Sequence, residues 1–226
     1  MRNEVPLYRN SVPLRKRFFH GVDLSKPDKA GESKDGPVRA DARRNVEAVL
    51  QAAMTVFDEL GVDAPVREIA QKAGVGIGTI YRHFPQRSDL IVAIVQKEVD
   101  ACADASVMLA GTLPPAEALA QWMQRLVELI ATKRGLAAAL HSGASAYQAL
   151  PDYFLKRLTP ALQMLLEAAV SAGVIRGDID ASELLMASTR LAMPAAEGDM
   201  AQARRMVSLL VDGLRFGATI SDGTMK

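Results

Sequence analysis

The feature that most constrains this chain is Val66 to Leu90, VREIAQKAGVGIGTIYRHFPQRSDL, in which Gly74, Gly76 and Gly78 alternate with Val75 and Ile77. Such a run either cradles the phosphates of a small nucleotide or turns the chain sharply between two helices. A nucleotide cradle needs a strand leading into the glycines, so that backbone amides converge at the start of a following helix. Here the preceding REIAQKA has helical rather than alternating spacing, and no Gly-Lys-Ser/Thr follows. The glycines also fall as Gly-x-Gly-x-Gly, not Gly-x-Gly-x-x-Gly.

A helix-turn-helix accounts for the same residues. Two short helices that cross steeply need a turn of three or four residues, and Gly74 supplies the left-handed backbone that ends the first. Val75 plugs the turn into the core, and Gly76 caps the second helix. Gly78 then lies inside a short helix, where glycine costs about 1 kcal/mol relative to alanine unless something must approach closely. A DNA backbone or base edge is such a reason.

Ile77, Ile80, Tyr81 and Phe84 lie at i, i+3, i+4 and i+7, which predicts that they pack inward at least in part. Gly78, Thr79, Arg82 and His83 form the opposite face. Thr79 and Tyr81 offer hydroxyls, His83 an imidazole, and Arg82 and Arg87 full charges, all groups that bind phosphate oxygens or base edges. Each alone is an ordinary solvated residue; their convergence after a turn is the signal.

The flanking sequence is helical throughout. Val46, Val49, Leu50, Ala53, Val56, Phe57 and Leu60 share one face of a helix that Gly61 ends. Asp63 and Pro65 mark the next start, and Leu90, Ile91, Ile94 and Val95 begin a longer fourth helix after Pro85. Beyond Thr112, breaks at proline and glycine leave helices over Ala116 to Ala131, Leu136 to His141, Asp152 to Ala172, Ala181 to Ala192 and Asp199 to Gly217. With aromatics at only 5 % of the 226 residues, this predicts an all-α protein.

Residues 1–44 hold 11 Lys/Arg against 6 Asp/Glu, and the remainder 16 against 20. If nucleic acid is a partner, the amino-terminal end faces it. The first 38 residues show no sustained period and read as a flexible extension. Within it LRKRFFH, Leu14 to His20, can rest on a duplex or a membrane surface, although a solvated tail is the simpler account.

Cys102 is the only cysteine, so no intrachain disulfide can form, which suits a reducing cytoplasm. No apolar run approaches the roughly 18 residues of a spanning helix, and the N-terminus lacks a signal-peptide core. His20, His83 and His141 are too scattered for a metal site, and no Ser/His/acid or paired-carboxylate spacing stands out. Neither a cofactor nor catalysis is expected.

Val46 to Ile91 resembles the DNA-binding domain of tetracycline-repressor-type (TetR family) transcriptional regulators, above all in REIAQKAGV and GTIYRHF. The resemblance implies that the third helix enters the major groove of an operator. Thr79, Tyr81 and His83 would contact phosphates, Ile77 and Gly78 would lie nearest base edges, and Arg82 would do either. Arg87 would clamp phosphate from the start of the fourth helix, and Arg67 would add a backbone contact. Gly76, Gln86 and Ser88 depart from the usual capping residues.

GLAAALHSG, LLEAAVSAGVIRGDIDASELL and LLVDGLRFG are similar to the SbtR-like branch of the family. The resemblance implies a homodimeric, ligand-responsive repressor, with a flexible extension over 1–40 and a helix-turn-helix domain over 41–88. A helical ligand-binding and dimerisation domain would cover 89–218, and a flexible tail 219–226. Two apolar stripes suit dimerisation: Leu155, Leu158, Leu162, Leu165, Leu166, Ala169 and Val170, and Met206, Leu209, Leu210, Gly213, Leu214 and Gly217. Ordinary core explains them too.

Trp122, Met123, Leu126, His141, Tyr147, Tyr153, Phe154, Met186 and Met193 are the candidates for a small-molecule effector pocket, which is mostly apolar with a few polar tips. A helical bundle that binds a small molecule or acts as an enzyme, without DNA, is the alternative reading.

Overall fold

The apolar period that begins near Val46 produces a helix, α1, that starts earlier than expected, spanning Gly36–Leu60 in the computed structural model. Pro37 sits in its first turn, where a missing N–H is harmless. The structure describes residues 36–132, 145–192 and 200–216. The expected helix over Leu136 to His141, the Leu14 to His20 segment, His141, Met193, Gly217 and the tail over 219–226 lie outside the described residues.

Short helices follow at α2, Val66–Ala73, and α3, Ile77–His83, then long ones at α4, Arg87–Thr112, and α5, Pro115–Thr132. A single 3-10 turn over Ser145–Tyr147 leads to α6, Leu150–Ser171, α7, Ala181–Ala192, and α8, Met200–Arg215. The fold is all-helical among the described residues, as the apolar periods predict.

From Val38 onward the chain is one compact unit around a connected apolar core. Val49, Ala53 and Val56 of α1 bury against Ile69, Ile80 and the start of α4 at Leu90, Ile91 and Ile94. Leu119, Trp122, Met123 and Leu126 of α5 and Leu158, Leu162 and Leu165 of α6 fill the middle of the remaining bundle. The longest helix, α4, packs on both α5 and α6, and α7 and α8 close the far side against α5 and each other. The boundary expected at residues 88 and 89 therefore falls inside the first turn of α4, a helix that runs unbroken from one part into the other.

That first turn carries a cap the sequence left open. The Gln86 backbone N–H donates to Asp89 Oδ2 at 2.8 Å while the Gln86 side chain accepts from the Asp89 amide, a capping box without serine or glutamate. At the other end of the bundle Asp180 caps α7 by accepting from the Ser182 amide at 2.7 Å, and these amide bonds hold its carboxyl below the usual carboxylate range.

One stripe is corrected. Leu158, Leu162, Leu165, Leu166 and Ala169 of α6 are buried within the chain, so this face is core and cannot also receive a second copy; only Leu155 and Val170 at its edges are exposed. Pro160 lies inside α6 and is exposed. It removes one helical N–H, and the helix continues through it because the neighbouring leucines are anchored in the core.

A polar clamp ties α4 to α6. Tyr153 donates its O–H to the Asp100 carboxylate at 2.8 Å, Arg157 Nε donates to Asp100 Oδ1 at 2.5 Å, and the other end of the guanidinium reaches Asp104 at 3.0 Å. Burial, and then the bond to Asp100, pushes the Tyr153 phenol up to about 12. A folded-state value above the ordinary 10.0 means that the contribution is complete below pH 10 and fades as pH rises through about 12. Tyr153→Phe is expected to lower stability by about 1 kcal/mol at pH 7 to 9. Urea unfolding of both chains should show that difference vanish as the pH approaches 12.

Candidate nucleic-acid interface

The turn between α2 and α3 is built by backbone chemistry. Gly74 has φ +67°, and its N–H reaches the Gln71 carbonyl at 3.2 Å while the Val75 N–H reaches that of Ala70 at 3.0 Å. This pair of bonds satisfies the last carbonyls of α2 and needs the left-handed conformation glycine adopts freely. Gly76 then caps α3 in an extended conformation with no side-chain bond. Ile69 and Ala70 of α2 and Ile80 and Phe84 at the end of α3 are the buried anchors, with Val75 partly buried between the helices.

Ile77 is 45 % and Tyr81 51 % exposed, so both pack inward only in part, within what their period predicts. A seven-residue helix touches the core along one edge, and Ile80 with Phe84 already occupies it. The outer face therefore consists of Ile77, Gly78, Tyr81 and Arg82, contiguous at i, i+1, i+4 and i+5, with Thr79 and His83 half-buried at its edges. A Cβ added at Gly78 would meet nothing within 4 Å, so no packing inside the chain requires glycine there.

Four other site residues are placed as follows. Arg67 is exposed near the start of α2 and, among the described residues, pairs with its neighbour Glu68 at 3.2 Å. His83 has its Nε2 buried with no hydrogen-bond partner, so an outside phosphate can be served only by the other ring nitrogen. Arg87 is drawn inward: its guanidinium donates to the carbonyls of Val62 and Ala64, the latter at 2.7 Å, and lies 6.0 Å from the centre of the Phe57 ring. The side chain expected as an outward phosphate clamp instead holds two carbonyls of the loop between α1 and α2. Lys72, not singled out from the sequence, joins α2 to α1 through Glu59 at 2.9 Å.

Of the expected effector residues, Trp122, Met123, Leu126 and Phe154 share one buried core, with Tyr147 and Tyr153 packed against it. Trp122, Met123 and Leu126 are fully buried and Phe154 nearly so, and the Trp122 indole N–H donates to the Cys102 carbonyl at 2.8 Å. Tyr153 is tied to Asp100, while the half-buried Tyr147 lies close enough to Arg87 and Asp89 to feel both charges, with burial the larger cause of its raised pKa. Met186 is corrected outright, since it sits on the exposed side of α7. Open grooves occur elsewhere, along α1 at Arg43, Arg44, Glu47, Ala48 and Gln51, and between α5 and α8 beside Gln124, Arg204 and Ser208. Among the described residues no cluster of His, Cys, Asp or Glu could hold a metal ion, and no helix is long and apolar enough to cross a membrane.

A short helix with an exposed outer face after a glycine turn, on an all-helical scaffold, is the geometry of a helix-turn-helix. Comparison with known proteins gives the family. Residues 49–94 match the profile described as bacterial regulatory proteins, tetR family, and residues 114–216 match that of the SbtR-like transcriptional regulator C-terminal domain. A TetR transcriptional regulator from Streptomyces coelicolor has a similar crystal structure, at 39 % identity and a TM-score of 0.64, covering 75 % of this chain and 98 % of that one. A second, from Mycobacterium vanbaalenii, is 35 % identical with a TM-score of 0.62, covering 79 % and 99 %. An HTH-type transcriptional regulator of Staphylococcus aureus is 39 % identical over 64 residues, 28 % of this chain and 35 % of its own length, so the match spans about a third of that relative. The chain belongs to the TetR family of transcriptional regulators. Members of that family bind DNA and are not enzymes.

Proposed function

We propose that the chain is a homodimeric, ligand-responsive repressor that binds a roughly palindromic operator. Residues 41–88 read the DNA, and residues 89–218 sense an effector and dimerise. The observation that carries the reading is the outer face of α3, where Gly78 and Arg82 are exposed and about half of Ile77 and of Tyr81 is open to solvent. Two such helices, one per subunit, would occupy successive major-groove faces about 34 to 36 Å apart. Arg67, Thr79 and the outward nitrogen of His83 supply phosphate contacts at the rim. Arg87 supports the interface from behind by fixing the loop ahead of α2.

Dimerisation is supported by α8, which is apolar on two sides. Ala203, Val207, Val211 and Leu214 are buried in the chain, whereas Met206, Leu209 and Phe216 are exposed beside the bare Gly213. Met186 and Leu191 extend apolar surface onto α7. Two helices from each copy would make a four-helix interface with two-fold symmetry. An effector held near Trp122, Met123, Leu126 and Phe154 would favour one arrangement of the helices around α4. A differential affinity of roughly 1 to 3 kcal/mol between the two arrangements then suffices for release from DNA. The reducing cytoplasm suits a regulator whose single thiol is buried.

Gly78→Ala tests the reading. Alanine finds open space and a better helix former's backbone there, so the variant should unfold no earlier than the parent, and up to about 1 kcal/mol later. Operator affinity should nevertheless fall, because the added methyl stands where DNA comes closest. If the variant binds as well as the parent, α3 does not approach DNA through Gly78; if it unfolds early, the glycine serves packing.

A further inference from the structure

Among the four residues of the outer face of α3, Ile77 is the one whose chemistry is unexplained by phosphate. Tyr81 and Arg82 carry hydrogen-bonding groups and Gly78 carries no side chain, but Ile77 has no polar atom and is 45 % exposed. Its neighbours in the chain, Gly76 and Gly78, both have open space where a Cβ would lie. A little under half of Ile77 therefore stays open to solvent, in the first turn of α3 between two glycines that leave its flanks uncrowded. An isoleucine at that place is also a poorer helix former than alanine. Neither the core nor the helix accounts for it.

The floor of the major groove offers one alkyl group, the C5-methyl of thymine; the other groups that tell the base pairs apart there are hydrogen-bond donors and acceptors. The cationic Arg82 on the same face favours a duplex over an apolar protein partner. We propose that Ile77 reads the 5-methyl group of a thymine in each half-site, with Gly76 and Gly78 leaving room for the base edge on either side. The inference rests on the reading of α3 as the DNA-contacting helix and adds which base it selects and by which atom.

The test uses the full chain and the duplex it selects, from its own upstream region or from a random pool. Each thymine of that operator is replaced in turn by deoxyuridine, which keeps base pairing and removes only the methyl. At one or two positions in each half-site the parent should bind roughly fourfold more weakly, the worth of one buried carbon group. Ile77→Ala should melt with the parent, bind the unmodified operator at least fourfold more weakly, and no longer distinguish thymine from uracil at those positions. If no replacement weakens the parent, or if Ile77→Ala discriminates as strongly as the parent does, Ile77 does not read a methyl group while the DNA reading stands. If the parent selects no duplex at all, the DNA reading falls and the inference with it.

Discussion

Trp122→Ala is expected to lower the stability of the chain by about 3 to 5 kcal/mol, a large share of the roughly 5 to 15 kcal/mol that holds a domain together. The side chain is fully buried between α4, α5 and α6, and its indole N–H is committed to the Cys102 carbonyl. Truncation opens a cavity lined by large apolar groups and removes a donor from a buried acceptor. At roughly 2 to 4 °C per kcal/mol for a chain of this size, thermal unfolding should register a drop of about 6 to 20 °C. Trp122→Phe keeps most of the volume and should cost far less. If Trp122→Ala is instead as stable as the parent, the indole lines an effector cavity that tolerates loss of a wall, and its assignment to the core is wrong.

Leu209→Arg should have the largest effect on DNA binding of any substitution outside α3. Leu209 is 66 % exposed at the centre of the outer α8 stripe, so a charge there costs the single chain little, within about 0.5 kcal/mol. In a two-fold dimer each substitution meets its own copy, and two buried like charges oppose association. Sedimentation should then show a monomer with an unchanged helical signal. Loss of bivalence should weaken operator binding by roughly 10² to 10⁴-fold, the range that linking two modest sites provides. A Leu209→Arg chain that remains dimeric would place the interface elsewhere.

Local backbone chemistry was readable from the sequence and tertiary choice was not. The limits of α2 follow from signals a few residues long, Pro65 and Gly74, and the structure places them where those signals do; the expected bounds of α7, Ala181 and Ala192, are also those of the structure. Helix α3 has only seven residues, too few for its period to say which of Ile77, Ile80, Tyr81 and Phe84 are buried fully and which in part; only Ile80 and Phe84 are buried. The apolar stripe of α6 has the same spacing whether it meets its own chain or a copy; only the burial of Leu158 and Leu162 decides. Arg87 is plainly a charge in the sequence, but the carbonyls of Val62 and Ala64 that claim it come from a loop 23 to 25 residues earlier. The expected stripe of α8 is exposed at Met206, Leu209 and Gly213, but Leu214 is buried in the chain and Leu210 partly so, because the spacing cannot separate the two apolar sides; Phe216, at 80 % exposed, lies outside that expectation.

The central claim is that the outer face of α3 binds DNA through Arg82 and its neighbours. Titrating the chain's own upstream DNA against an unrelated duplex at several salt concentrations, with the parent and with Arg82→Ala, tests it most directly. The account predicts preference for the upstream DNA and a steep loss of affinity with salt. Arg82→Ala should bind about 1 to 3 kcal/mol more weakly, while its thermal unfolding stays with the parent's because the side chain is exposed. Equal binding of both duplexes, or an Arg82→Ala chain that matches the parent in affinity and salt dependence, would contradict it.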